Sequence, residues 1–172
     1  MPENKVIAVT GAGKCMGRTC VAFFLEHGAH VAALTRSSGD VESLTSEFAG
    51  SPFEAMQGDV TRRADLERLR DSAIKRFGLI NGLVNKAGIR QRKDFMALTR
   101  EEFGQVIASN LTSCFEAMQV FAAPMIAHGG GALYAGLSLA VLYRRPGLAG
   151  LTDGEIRWPV NGTKRRLRPT AA

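Results

Sequence analysis

The sequence has no apolar run near the ~18 residues needed to span a bilayer. A membrane-spanning helix is therefore not expected. Its first residues, MPENKVIAVTG, lack a long apolar segment and a cleavage-like site, so no secretory signal is read there. Cysteine is sparse: Cys15, Cys20 and Cys114 form no Cys-x-x-Cys pair. An odd count without a signal argues against a disulfide framework and for reduced thiols in the cytoplasm. No metal site is expected. Net charge is also nearly absent from most of the chain. Of the net +6, all but one charge falls within Tyr143–Ala172, so the pI near 9.7 belongs to that tail. A basic run this short is usually solvated surface. Neither a membrane nor nucleic acid is expected as a partner.

What is present suits one domain with a real core: 172 residues, 45% hydrophobic. Lys5–Thr10 (KVIAVT) and His30–Thr35 (HVAALT) read as buried strands. A helix from about Met16 to His27 lies between them, stopped by Gly28. Asp40 is expected to cap a helix ending at Phe48. Phe53–Gln57 is a weaker third strand. Thr61 is expected to cap the next helix, with Leu66, Leu69, Ala73 and Phe77 on its apolar face. Leu79–Asn85 reads as strand four. Thr99–Glu102 (TREE) is a capping box. The helix it opens is expected to show Phe103, Val106, Ile107, Leu111 and Cys114 on one face and to end near Phe121, before Pro124. Gly129–Leu142 holds strand five. Alternation at this spacing predicts an α/β fold: a doubly wound parallel sheet of about five strands, Rossmann-like, over residues 1–142. Residues 143–172 read as a basic irregular tail.

The stretch VTGAGKCMGRTC (Val9–Cys20) joins the first strand to the first helix. Gly11, Gly13 and Gly17 there would let the backbone approach a pyrophosphate at a helix N-terminus. Arg36 follows the second strand, where an acid would bind ribose hydroxyls and an arginine favours a 2′-phosphate. With Lys14 in the turn and no acid at Thr35, the expected cofactor is NADP rather than NAD.

The motif TGAGKCMG resembles the Thr-Gly-x-x-x-Gly-x-Gly turn of the short-chain dehydrogenase/reductase family. Four further motifs follow in that family's order. GDV at Gly58–Val60 resembles the adenine-contacting strand end, with Asp59 as the acid. LVNKAGI at Leu83–Ile89 is similar to the Asn-Asn-Ala-Gly segment. ASNLTSCFEAM resembles the helix carrying a catalytic Asn, here Asn110. GLSLA resembles the strand-five end carrying a catalytic Ser, here Ser138. Taken singly, Asn85 could cap a loop, Asp59 a helix, and Ser138 could be a loop hydroxyl; together they are not coincidence. The resemblance covers roughly residues 5–142 and is nearest to NADP-type 3-oxoacyl-carrier-protein reductases. It implies cofactor contacts at Gly11, Gly13, Lys14, Cys15, Met16, Gly17, Arg36, Asp59, Val60, Asn85, Ala87 and Gly88.

Four positions depart from the pattern. Cys15 replaces a glycine, where a side chain crowds the pyrophosphate or strains the backbone if positive φ is required. Lys86 replaces the second Asn and must turn to solvent or alter the loop. The family's general-acid Tyr and the Lys four residues later fall on Leu151 and Glu155. Leucine cannot donate a proton, and a carboxylate raises rather than lowers a neighbouring acid's pKa. Neither Tyr134 nor Tyr143 is followed by a lysine at that spacing. The resemblance thus implies an NADP(H)-dependent oxidoreductase acting on a small carbonyl or alcohol by lineage. A catalytically silent nucleotide-binding module or partner subunit is the alternative. The family pattern continues beyond what this sequence contains, so a truncated C-terminal side and a homo-oligomer or partner-dependent core are expected. An out-of-frame origin for the tail is a third reading.

Overall fold

The computed structural model describes residues 2–136. Five strands and five helices follow one another: β1 (Val6–Thr10), α1 (Cys15–Glu26), β2 (His30–Thr35), α2 (Ser38–Glu47), β3 (Phe53–Gln57), α3 (Arg63–Phe77), β4 (Gly82–Asn85), α4 (Arg100–Ile107), α5 (Ser113–Ala127) and β5 (Ala132–Ala135). All pairings are parallel, in the order β3-β2-β1-β4-β5. The chain therefore leaves β1 towards β2 and β3, then crosses back to the other side of β1. That reversal opens a crevice at the carboxyl ends of β1 and β4.

The two faces of β1 explain its unbroken apolar run. Side chains alternate across a strand, so Val6 and Ala8 face one layer while Ile7 and Val9 face the other. On the first side Leu66, Leu69 and Ala73 of α3 join Ala117, Val120, Phe121 and Met125 of α5. On the second, Val21 of α1 and Leu44 of α2 pack on Val31, Ala33, Phe53 and Val84. Helices on both sheet faces give the expected doubly wound layers. Among the described residues no helix is long and apolar enough to cross a membrane.

Several local expectations need correction. Ser37, not Asp40, caps α2: its hydroxyl accepts from the Asp40 amide at 3.4 Å. Thr61 does not cap α3, which begins at Arg63 after Arg62 with no side-chain cap; the Thr61 hydroxyl donates back to Asp59 at 2.8 Å. Strand four begins at Gly82 rather than Leu79. Just before it, the Asn81 side-chain oxygen accepts from the Val6 amide at 2.9 Å, and the β1–β4 register starts at Gly82.

The expected single helix after the capping box is two. Thr99 and Glu102 do cap each other reciprocally, but a π-helical turn at Ala108–Thr112 separates α4 from α5. It rotates the apolar face, burying Val106 and Cys114 while leaving Phe103 and Leu111 exposed. Helix α5 also runs through Pro124. Proline removes one amide bond near the helix end, and burial of Phe121 and Met125 around it holds the last turn. Ser138, Tyr143, Leu151, Glu155 and the basic tail lie outside the described residues.

Candidate nucleotide site

The turn after β1 is built by close backbone approach. Gly11 adopts φ +69, and its amide and that of Ala12 donate to the Leu34 carbonyl. A Cβ on Gly11 would lie 2.6 Å from the Ala87 backbone. One on Gly17 would overlap the Gly11 carbonyl oxygen. Glycine at these positions lets the loop after β4, and α1 itself, rest directly on the turn. Arg18 braces it, donating to the Gly13 carbonyl at 3.2 Å while bonding Ser43 and Glu47 of α2.

Cys15 stands at φ +47, in the left-handed region where a side chain is strained. The concern raised by its replacement of glycine is thus realised in the backbone. Its side chain is exposed. Lys14, the N-cap, makes no side-chain cap bond, and the first turn of α1 holds no acid. The first amides of α1 therefore point to the crevice uncapped, with the positive end of the dipole behind them.

That crevice is a cleft of about 590 Å³. It is lined by Gly11, Gly13, Lys14, Cys15, Met16, Gly17, Arg36, Asp59, Val60, Ala87 and Gly88, so eleven of the expected cofactor residues converge on it. Asn85 does not line it. It is buried, accepting from the Thr10 hydroxyl at 3.4 Å and donating to the Cys114 carbonyl at 3.4 Å. It ties β4 to β1 and α5. Thr10 in turn accepts from the Lys86 and Ala87 amides, each at 3.3 Å, and fixes the loop beside the turn. Asn110 is buried too. From the π-helical turn its side chain accepts from the Ile89 amide at 2.8 Å and donates to the Ile89 carbonyl at 2.9 Å. It clamps the loop that forms one wall of the cleft.

Asp59 has a local role. Its carboxylate accepts from the Thr61 amide at 2.9 Å and hydroxyl at 2.8 Å. Burial alone would raise its pKa; those hydrogen bonds and the charges of Arg36 and Arg62 outweigh it and hold the carboxyl below its ordinary value. The buried Asp65 closes the same turn by accepting from the Asp59 amide at 2.8 Å.

Asp40 is the residue that sequence reasoning placed in the wrong role. It sits in the first turn of α2. Its carboxylate lies 3.9 Å from the Lys14 ammonium and receives a long 3.5 Å bond from Thr35. It lines the cleft with Thr35 and Ser37. Nothing in the sequence pattern separates it from an ordinary cap; only the fold of α2 against the turn brings it there.

The donor set fits a phosphate-bearing nucleotide: uncapped helix amides, glycines that admit close approach, and cations at Lys14 and Arg36. Comparison with known proteins agrees. The short chain dehydrogenase family model matches residues 5–150, reaching beyond the expected limit at 142. An uncharacterized oxidoreductase of Listeria innocua is 30% identical over 172 residues, 99% of this chain and 68% of that protein. L-xylulose reductase of Mesocricetus auratus is 36% identical over 121 residues, 70% of this chain and 47% of its own length. A 3-oxoacyl-acyl-carrier-protein reductase of Thermotoga maritima is 29% identical over 147 residues, 84% of this chain and 60% of its own. The chain thus spans 47% to 68% of the length of these relatives. By its parallel sheet, its glycine turn and these matches, it belongs to the short-chain dehydrogenase family.

Proposed function

We propose that this chain binds NADP(H) in the cleft, and that it is a carbonyl–alcohol oxidoreductase by lineage without its own proton donor. The family implies a nicotinamide cofactor, which when bound supplies or accepts hydride. The observation that carries the reading is the uncapped N-terminus of α1 beside Lys14 and the exposed Arg36, all bordering one cleft. A guanidinium past β2 suits a 2′-phosphate through paired, charge-assisted hydrogen bonds. Asp40 favours a second reading, NAD, because a carboxylate near the end of β2 can accept from ribose hydroxyls. Fluorescence titration separates the two. NADPH is expected to bind at least tenfold more tightly than NADH, and Arg36→Ala to bring them near parity; parity in the unaltered chain would favour NAD.

The chemistry has lost its acid. Of the catalytic set that the resemblance implies, Asn110 and Ser138 are present, while Leu151 and Glu155 stand where a tyrosine and a lysine are required. A phenol next to an ammonium lowers the barrier by proton transfer to the developing alkoxide; leucine offers no proton. With NADPH and a panel of ketones, turnover is expected to stay at background. A rate above it would overturn this half of the reading. A silent nucleotide-binding module or partner subunit remains consistent with binding without turnover. Exposed Phe103, Leu111 and Phe115 on α4, the π-helical turn and α5 support self-association, which sedimentation would reveal.

A further inference from the structure

The cleft carries cations at two poles. At one, Arg36 follows β2 and the turn presents Lys14. At the other, Lys86 follows β4. β2 and β4 flank β1, so the poles lie roughly 10 Å apart, two strand spacings. The second pole is the unexplained one. Lys86 is half-buried and lines the cleft. Its amide is held by Thr10 at 3.3 Å. Its side chain lies along Gly136: a Cβ there would come within 2.9 Å of the ammonium and 3.2 Å of Cδ. Glycine at 136 leaves room for the ammonium at the carboxyl ends of β4 and β5.

Among the described residues no carboxylate pairs with Lys86. Lys86 therefore brings a positive charge to the cleft wall with no counter-ion among the described residues. The loop that follows has the same sign. Residues 86–93 read KAGIRQRK, with four cations and no acid. Lys93 pairs with Glu102 at 2.8 Å. Arg90 and Arg92 are exposed and have no ion pair among the described residues. The loop is nevertheless firmly placed, because Asn110 clamps Ile89 on both its amide and its carbonyl.

We propose that Lys86 forms an anion subsite at the β4 end of the cleft, taking the carboxylate or phosphate of a small carbonyl co-ligand. Arg90 and Arg92 draw such an anion towards it. The inference rests on the reading that a dinucleotide occupies the cleft, with its phosphates at the α1 N-terminus and the β2 pole. It selects acidic co-ligands over neutral ones, a preference that a neutral amide at position 86 would not impose.

The test uses matched pairs that differ in charge: levulinate against methyl levulinate, and dihydroxyacetone phosphate against dihydroxyacetone. Binding is measured by calorimetry on the full chain with and without saturating NADPH. At least one anion is expected to bind about tenfold more tightly than its neutral partner, the usual worth of one charge-assisted contact. Which anion wins tells carboxylate from phosphate. Lys86→Met is expected to abolish the preference and Lys86→Arg to keep it, with NADPH affinity within threefold throughout. No preference in the unaltered chain overturns the subsite, whatever the variants do. So does a preference that survives Lys86→Met, or a loss of NADPH affinity matching the loss of preference, which would assign the ammonium to the cofactor. If NADPH fails to bind while a Lys86-dependent preference persists, the nucleotide reading falls and the subsite stands.

Discussion

Every residue of β1 is buried and β2 is covered from Val31 to Thr35, whereas β5 exposes Ala132, Leu133 and Tyr134, the last at 60%. The same polypeptide thus contains a sheet centre closed on both faces and, among the described residues, an edge with only β4 beside it. The difference follows from layer count. β1 and β2 have helices on both faces, so each apolar side chain finds a partner. β5 contributes no residue to either buried cluster. The site inherits this asymmetry. Helix α1 rests on the turn by backbone contact that tolerates no Cβ at Gly17, while the loop after β4 rests on Gly11 and is also held by hydrogen bonds to Thr10 and Asn110.

The sharpest way to break the comparison is to truncate one leucine on each side. Leu34→Ala in β2, fully buried, is expected to cost about 2–5 kcal/mol. Leu133→Ala in β5, 42% exposed, should stay within about 0.5 kcal/mol. Urea unfolding of both variants checks this; equal losses would show that β5 is as well packed as the centre.

Next in size is the clamp on the β4 side. Asn110→Ala leaves the Ile89 amide and carbonyl without the side chain that bonds both, at about 1–3 kcal/mol. Hydrogen exchange should quicken at Ile89 and leave β1 protected. Unchanged exchange there would mean that the loop is held by something other than Asn110.

A smaller effect of opposite sign is expected at the turn. Cys15→Gly relieves a left-handed backbone worth about 1–2 kcal/mol, partly offset by about 0.5–1 kcal/mol of extra unfolded-state entropy. A net gain on the order of 0.5 kcal/mol should appear as a higher melting temperature, together with tighter NADPH binding. A lower melting temperature would show that Cys15 makes packing contacts that outweigh its φ.

The smallest effect is pH-dependent. The native Asp59 carboxyl titrates below its ordinary value of 3.8. A depressed native pKa means that the stabilisation is complete above about 3.8 and is lost as pH falls through the lower native value. Asp59→Asn should therefore lose this stabilisation at pH 7, differ little from the unaltered chain once the native carboxyl is protonated, and so flatten the acid limb of a stability profile. An acid limb identical to that of the unaltered chain would remove Asp59 from the account.

Legibility in the sequence tracked the same division. The apolar runs at 5–10 and 30–35 could be read directly, because a strand covered on both faces shows itself as an unbroken run. The face of α3 was legible for the same reason: Leu66, Leu69 and Ala73 repeat at helical spacing and all three are buried. Strand four was read too long, since Leu79 and Ile80 are apolar but Asn81 takes the Val6 amide before the ladder begins. One helix became two at the π-helical turn, where Asn110 bonds Ile89 about twenty residues away in the chain, a contact that no local period announces. Asp40 was legible as a helix-start residue but not as a group in the cleft.

By itself, then, the sequence determined the layer order, the glycine turn, and the presence of Lys14, Arg36 and Lys86, because periodicity, glycine and charge are local properties. Only the tertiary structure decided that Asp40 meets Lys14, that Asn85 is a buried tie rather than part of the cleft wall, and that Asn110 reaches inward to Ile89. Those outcomes depend on which strand ends lie side by side, and the crossover at β1 and β4 sets that across separations of about twenty to seventy-five residues.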